Sequence, residues 1–268
     1  PVKNVFHYPN SHILYEGIGL ETDPHNQYLF PVLRADENSY SVNSKSGLYY
    51  NFGEKIKLVA GYQGRNNKRV TITGSTSLCS NKFYFLSSVD QDPLNSPNAQ
   101  FCKELIQWNT QKSGVLKYDN VRHHRKSDGK TLDIYRIKDE LEYMVDIYEY
   151  DLKSDSWKPY LTDDLQIEYT MMDPFYRLQL KMLSMGKPTY TTSFKSPDKW
   201  GVFKFIIDYK RVGYSYLDIT TKCPLKPFRH DEYERFLSIA YPYYISVFSV
   251  IFGFVIFVIV FFFSSNKN

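Results

Sequence analysis

The stretch Ile245–Phe263, ISVFSVIFGFVIFVIVFFF, contains sixteen Ile, Val or Phe residues, two Ser and one Gly. It lies inside a longer run, Phe236–Asn266, that has no charged residue. Nineteen helical residues span about 28 Å, close to the ~30 Å hydrocarbon core of a bilayer. A buried core helix rarely runs this long without a polar face. The stretch therefore predicts one membrane-spanning helix.

The residues at the start of this span predict contacts with a partner. Tyr side chains precede the apolar run, where aromatic residues typically form a belt at the membrane interface. Small residues then recur at spacings of three and four, which places them on one helix face where another span can approach closely. The predicted intramembrane and juxtamembrane partner interface consists of Tyr241, Pro242, Tyr243, Tyr244, Ser246, Ser249 and Gly253.

Composition limits what the preceding residues, 1–240, can be. They are numerous enough for two small domains or one large domain. The chain has 33 basic and 29 acidic residues, and no basic block with interleaved aromatics stands out. We therefore predict no nucleic-acid partner. Aromatic residues make up 17% of the chain, including 24 Tyr, and they favour half-buried strands.

Residues 1–115 are predicted to form the C-terminal part of an α/β domain. Lys57–Tyr62 and Arg69–Gly74 are short apolar runs before Gly or a polar turn, as is typical of buried strands. Pro97–Gln111 has a helical pattern, with Phe101, Leu105 and Trp108 on one face.

Residues 116–223 are predicted to form an immunoglobulin-like β-sandwich, because short alternating runs follow one another between turn residues. The predicted strands are Glu140–Tyr150, Gln166–Tyr169, Arg177–Leu180, Trp200–Tyr209 and Ser215–Lys222. Residues 224–240 are predicted as a juxtamembrane stalk, 241–264 as the transmembrane helix and 265–268 as a short cytosolic tail. The predicted fold class is thus α/β, then all-β, then one transmembrane helix.

The three cysteines, Cys79, Cys102 and Cys223, are too few for a disulfide framework. A Cys79–Cys102 bridge is possible in an oxidising compartment. Three unpaired, buried or partly buried thiols are the preferred interpretation.

Three acidic or histidine motifs are candidate sites for chemistry. Asp90-Gln91-Asp92 matches the D-x-D pattern that holds a metal on sugar diphosphates. The match is short and lies in a polar loop where solvated Asp is ordinary, so a solvated loop is the preferred interpretation. Asp163-Asp164 suits a turn and strand cap better than a metal pair. His123 and His124 are adjacent on a predicted strand and face opposite sides, so they should not chelate one ion. No catalytic, cofactor or metal residue is predicted.

The basic segment Arg65–Arg69 joins two predicted strands. Its cations suit an acidic partner or a phospholipid head group, and a solvated connection between the strands is an equal alternative. The sequence leaves this choice open.

Several stretches resemble the DDOST/Wbp family, whose members are single-pass subunits of oligosaccharyltransferase. Asp231–Tyr244, DEYERFLSIAYPYY, is similar to the family's juxtamembrane signature, and Gly61–Val70 resembles its G-x-Q-x-R-N-N-x-R-V stretch. Tyr15–Leu20, Val121–Arg125, Met172–Phe175 and Pro197–Phe203 are also similar. Because family members begin with a signal peptide and more of the α/β domain, the resemblance implies an N-terminal part upstream of Pro1.

The resemblance implies a partial Rossmann-like, glutamine-amidotransferase-like α/β domain and a non-catalytic scaffold role in protein N-glycosylation. Expected partners are the ribophorin II-type, defender-against-cell-death-type and multi-span catalytic subunits, together with membrane lipid. No cofactor is expected in this chain, since any divalent metal would lie in the catalytic subunit. The expected location is the endoplasmic reticulum membrane, with residues 1–240 lumenal. A single-pass adhesion or receptor ectodomain is the alternative, and a solitary membrane-tethered glycosyltransferase using Asp90 and Asp92 is a third hypothesis.

Overall fold

The computed structural model describes residues 5–6, 12–42, 45–47, 49–87, 96–184 and 186–264. The chain divides into two compact units, Pro1–Leu225 and Lys226–Asn268. The second unit contains the apolar helix and is described with the candidate interface below.

The first unit begins with a small antiparallel sheet in the order β1-β4-β5 and a separate β2-β3 hairpin, and two helices follow. Their bounds are β1 Leu29–Arg34, β2 Tyr40–Val42, β3 Tyr49–Phe52, β4 Lys57–Gln63, β5 Arg69–Thr73, α1 Asn81–Ser87 and α2 Pro97–Asn109. The two predicted strands and the predicted helix are confirmed. The helix begins after Ser96, whose side chain accepts a hydrogen bond from Ala99 N, and it buries Trp108 edge-on against Phe30 of β1.

The prediction that β5 is buried is wrong for one of its faces. Val70 and Ile72 are 51% and 46% exposed. β5 is the edge strand of its sheet, and α2 packs beside the alternate residues, where Asn109 donates to Thr71. Hydrophobicity alone could not indicate that only one face has a neighbour.

The remainder of the first unit is a two-sheet β structure, as the strand pattern predicts. Its strands are β6 Leu116–Arg125, β7 Tyr135–Arg136, β8 Glu140–Asp151, β9 Ser156–Pro159, β10 Gln166–Thr170, β11 Pro174–Gln179, β12 Lys181–Met182, β13 Thr189–Lys195, β14 Gly201–Tyr209 and β15 Leu217–Lys226. One sheet has the order β11-β10-β14-β15-β7, and the other has the order β12-β13-β8-β6 with β9 beside β8.

Aromatic side chains fill the core between the sheets. Phe203, Phe205 and Ile207 alternate inward along β14 and are fully buried. The Tyr169 ring stacks on Phe203 at 4.7 Å, and Tyr143 of β8 lies 4.8 Å from Phe205. Such ring pairs stabilise a core beyond the area that they bury. The predicted fold class, α/β followed by β and an apolar helix, is confirmed.

The preference for three unpaired thiols is wrong for two of the cysteines. Cys79 and Cys102 form a disulfide with a Cα–Cα distance of 5.9 Å. Asn98 Nδ2 donates to Leu78 O, which holds α2 beside the segment that contains Cys79. In the chain-entropy model a loop of this length gives about 3 kcal/mol of stabilisation. Cys223 is a buried free thiol, and burial raises its pKa to about 11.

Candidate membrane and partner interface

The second unit contains one long apolar helix, α3, which runs from Tyr241 to Ser264. Its 24 residues measure about 36 Å, enough to cross the ~30 Å hydrocarbon core with some tilt. The helix is apolar along its length, and none of its described residues is buried. Within the described residues, α3 is the one helix with the length and composition of a membrane span.

One face of α3 is narrow because its side chains are small. Pro242, Ser246, Ser249 and Gly253 follow one another at helical spacings of four, three and four, so they share this face. Ser246 Oγ donates to Tyr243 O and Ser249 Oγ donates to Ser246 O, each at 2.8 Å. The hydroxyl protons are therefore satisfied within the helix. A Cβ added at Gly253 would meet nothing within 4 Å, so another helix has room to approach.

A second face carries the aromatic residues. Tyr241, Tyr244, Ile245 and Phe248 recur at spacings of three, one and three and line an apolar groove of about 570 Å³ together with Phe236. The Phe236 ring lies edge-on to Tyr244 at 6.4 Å. The helical spacing thus divides the seven predicted interface residues. The small residues form one surface, and two of the three tyrosines belong to another.

The basic segment Arg65–Arg69 has a structural role in the first unit that the sequence did not reveal. Asn67 adopts a left-handed conformation, with φ of 60°, which Asn tolerates better than most residues. Its side chain accepts from Tyr216 N at 2.7 Å and donates to Tyr216 O at 3.3 Å. The turn between β4 and β5 is therefore bonded to the segment that leads into β15, which neither of the two predicted alternatives anticipates.

Arg69 is 7% exposed, and its side chain binds the carbonyls at the C-terminal end of α2. Its guanidinium donates to Trp108 O at 3.2 Å and to the carbonyls of Ser113 and Gly114, each at 2.6 Å. The guanidinium carbon also lies 5.0 Å from the centre of the Trp108 ring. Cations suit this end of a helix because its last carbonyls lack partners. Burial lowers the pKa of Arg69 to about 10, so the side chain stays charged at neutral pH.

Trp108 connects α2 to the β structure. The contacts of Gln63, Asn67, Arg69 and Trp108 with residues 113–114 and 213–216 are called the junction. Its Nε1 donates to Gly213 O at 2.8 Å, and Gln63 Nε2 donates to Tyr214 O at 2.6 Å. A Cβ added at Gly114 would lie 2.6 Å from Gly213 O, so the two loops approach too closely for any larger residue. The domains predicted at 1–115 and 116–223 thus meet through hydrogen-bonded contacts within one compact unit.

The other candidate residues also have structural partners. His123 Nδ1 lies 2.8 Å from Tyr135 OH, and its ring faces Phe205 in the core. His124 Nε2 lies 3.3 Å from Glu142, so the two imidazoles have separate environments, as strand alternation predicts. Asp164 accepts from Tyr209 OH at 3.0 Å and lies 3.6 Å from Arg211.

No group of three potential metal-ligating side chains occurs among the residues for which coordinates are described. Asp90 and Asp92 lie outside those residues, so the structure does not test the D-x-D hypothesis. Replacing both residues by Asn, as described in the Discussion, tests it.

Over the described residues, a β-rich unit followed by one helix with the length and composition of a membrane span fits the class of single-span membrane proteins. Within that class, the chain belongs to the OST48 family. Residues 1–112 match the description "OST48, N-terminal domain", and residues 123–265 match "OST48 middle domain". This agrees with the resemblance to the DDOST/Wbp family in the sequence.

Three curated relatives carry the name dolichyl-diphosphooligosaccharide–protein glycosyltransferase 48 kDa subunit. The Arabidopsis thaliana protein is 40% identical over 253 residues, covering 91% of this chain and 57% of the relative. The Caenorhabditis elegans protein is 38% identical over 257 residues, covering 93% and 57%. The Danio rerio protein is 34% identical over 265 residues, covering 96% and 59%. The chain therefore spans less than two thirds of the length of these relatives.

Proposed function

We propose that the protein is a non-catalytic scaffold subunit of the endoplasmic reticulum oligosaccharyltransferase. That complex transfers a glycan from dolichyl diphosphate to Asn residues of nascent proteins. Family membership over both matched domains carries the proposal, because the relatives are named as subunits of this glycosyltransferase. The same names give no support to the adhesion or receptor alternative.

The scaffold role is supported by how the polar residues of the first unit are used. Arg69 binds three carbonyls of the α2 terminus, Asn67 binds the backbone of Tyr216, and His123 contacts Tyr135. Each of these groups fastens one element to another. They fit a rigid body that positions other subunits, and catalysis is assigned to the multi-span subunit.

The small face of α3 is the proposed contact for a partner span. Lipid supplies no hydrophobic drive between helices, so close backbone approach at Ser246, Ser249 and Gly253 would supply the packing. The proposed companions are the ribophorin II-type, defender-against-cell-death-type and multi-span catalytic subunits. In this arrangement residues 1–240 lie in the lumen.

Affinity purification of the full-length protein in mild detergent tests the proposal. We expect recovery of a stoichiometric complex that contains a multi-span subunit and transfers glycan to an acceptor peptide. A solitary chain at the cell surface would support the receptor alternative instead. A solitary chain that transfers glycan by itself would support the tethered-enzyme hypothesis.

A further inference from the structure

A group of large apolar side chains is exposed at one end of the β structure. Met172 is 92% exposed, Trp200 68%, Val202 55% and Phe175 38%. With Lys199, whose Nζ lies 5.6 Å from the centre of the Phe175 ring, these residues are called the Trp200 patch. Exposed apolar residues are ordinary when scattered singly, but a contiguous group marks an interaction surface.

Strand pairing brings the two parts of the patch together. Thr170 at the end of β10 pairs with Lys204 of β14, so the turn after β10 lies beside the loop that precedes β14. Gly201 has a φ of 147°, and an added Cβ there would lie 2.8 Å from Met171 Sδ. Phe175 packs edge-on against the fully buried Phe203 at 5.2 Å. Phe175 and the backbone at Gly201 therefore connect the patch to the packed part of the sheet.

Lysines surround the apolar residues of the patch. Lys204 and Lys222 lie directly opposite each other in the antiparallel pair of β14 and β15, and like charges in this position are unfavourable unless an anion lies nearby. Lys199 adds a third cation. The adjacent acidic residues are Asp173 and Asp198, and Asp198 is already paired with Lys138 at 2.9 Å. The surface as a whole thus combines aromatic rings with an excess of positive charge.

We propose that the Trp200 patch binds the headgroup region of a phospholipid bilayer. Trp is enriched at membrane interfaces because its ring is apolar and its N–H is polar. Lysines can extend along apolar surface and place their ammonium groups at lipid phosphates. Protein–protein interfaces are also enriched in Trp, Phe and Met, but they are depleted in Lys, so the three lysines of this surface distinguish the two kinds of partner. The patch therefore fits a lipid surface better than a protein partner.

The position of the patch in the chain agrees with this partner. Gly201 pairs with Leu225, so the patch lies at the end of the sheet where β15 finishes at Lys226. The apolar helix begins at Tyr241. The spacer of 14 residues between them measures at most about 50 Å when fully extended. The inference requires a membrane anchor but does not depend on the proposed role in glycan transfer.

Tryptophan quenching in nanodiscs tests the inference with a matched control in the same chain. The full-length protein is reconstituted in phosphatidylcholine that contains anionic phosphatidylserine, with and without a headgroup-labelled nitroxide lipid. Trp157, 43% exposed, lies at the opposite end of the β structure, because β8 pairs with Lys195 at Glu140 and with Ser156 at Asp151. Trp157→Phe retains Trp200, and Trp200→Phe retains Trp157. Both substitutions leave the buried Trp108 unchanged.

We expect the nitroxide lipid to quench the fluorescence of the Trp157→Phe protein, which retains Trp200, at least about twice as strongly as that of the Trp200→Phe protein. Equal quenching of the two variants would overturn the inference. If Trp200 is unquenched in nanodiscs but shielded in the purified complex, the patch is a protein interface instead. Replacing Lys204 and Lys222 together by Glu should roughly halve the quenching of Trp200. Unchanged quenching would contradict the part assigned to lipid phosphates.

Discussion

Replacing the buried Arg69 by Met tests the junction within the first unit. Met keeps the apolar stem of the side chain but removes every donor. Three carbonyls, at Trp108, Ser113 and Gly114, then lose a charged partner, and the Trp108 ring loses the cation above it.

The expected loss is a difference between opposing effects. A buried acceptor left without a donor costs about 1–3 kcal/mol, and a desolvated cation–π contact contributes up to about 2 kcal/mol. Removing the guanidinium also removes the several kcal/mol that its burial costs. We therefore expect Arg69→Met to lower the free energy of unfolding by about 2–4 kcal/mol, a large share of the 5–15 kcal/mol typical of a folded protein.

Urea unfolding of the purified full-length protein in mild detergent measures this loss, with tryptophan fluorescence as the signal. Trp108 is fully buried beside Arg69, and in a background with Trp157→Phe and Trp200→Phe the signal comes from this residue alone. With an m-value of about 3 kcal/mol/M, the midpoint should fall by about 1 M urea. Arg69→Lys keeps the charge but not the planar fork of donors, so its midpoint should lie between those of wild type and Arg69→Met.

Arg65→Met is the matched control in the same turn. Arg65 is exposed, and its Nε donates to Tyr28 OH at the surface. A surface substitution of this kind should change stability by less than about 1 kcal/mol. If Arg69→Met and Arg65→Met shift the midpoint equally, the structural role assigned to Arg69 is refuted.

Three further predictions concern the anchor, its orientation and pH. Gly253→Leu should preserve membrane insertion but cause partial loss of companion subunits in detergent, because interhelical contacts contribute only about 1–2 kcal/mol each; Val255→Leu on the opposite face is the control, and equal recovery for both variants would make the anchor a passive tether. Protease added to sealed microsomes should spare residues 1–240 unless detergent is present, and digestion without detergent would reverse the proposed orientation. Burial lowers the pKa of His123 from 6.5, so stability should be full above that value and fall as pH drops through it towards the folded pKa. His123→Gln should flatten this part of a plot of Tm against pH, and an unchanged slope would contradict the assignment.

The elements that the sequence predicts correctly depend on neighbouring residues. Alternation along β14 predicts the buried Phe203 and Phe205, and the spacing of Leu105 and Trp108 predicts the buried face of α2. The anchor follows from an uninterrupted apolar run. In each case the pattern of one continuous segment contains the necessary information.

The missed features depend on residues far apart in the chain. Arg69 is buried by its contacts with Trp108 and Gly114, which lie 39 and 45 residues away in the sequence. Asn67 likewise contacts Tyr216, which lies 149 residues away. The disulfide likewise requires Cys79 and Cys102 to be adjacent in the folded chain. By contrast, the separation of Tyr241 and Tyr244 from the small residues of α3 follows from helical spacing, so it can be predicted from the sequence alone.

We propose that this protein supports catalysis by organising a complex. The most direct test measures the amount of assembled complex and the glycan transferred per complex, in parallel, for Gly253→Leu and for Asp90→Asn combined with Asp92→Asn. We expect a reduced amount of complex for Gly253→Leu and, for both variants, transfer per assembled complex within a few-fold of wild type. A loss of several orders of magnitude in transfer per complex for the double Asp variant, at unchanged assembly, would contradict the proposal and make this chain part of the active site.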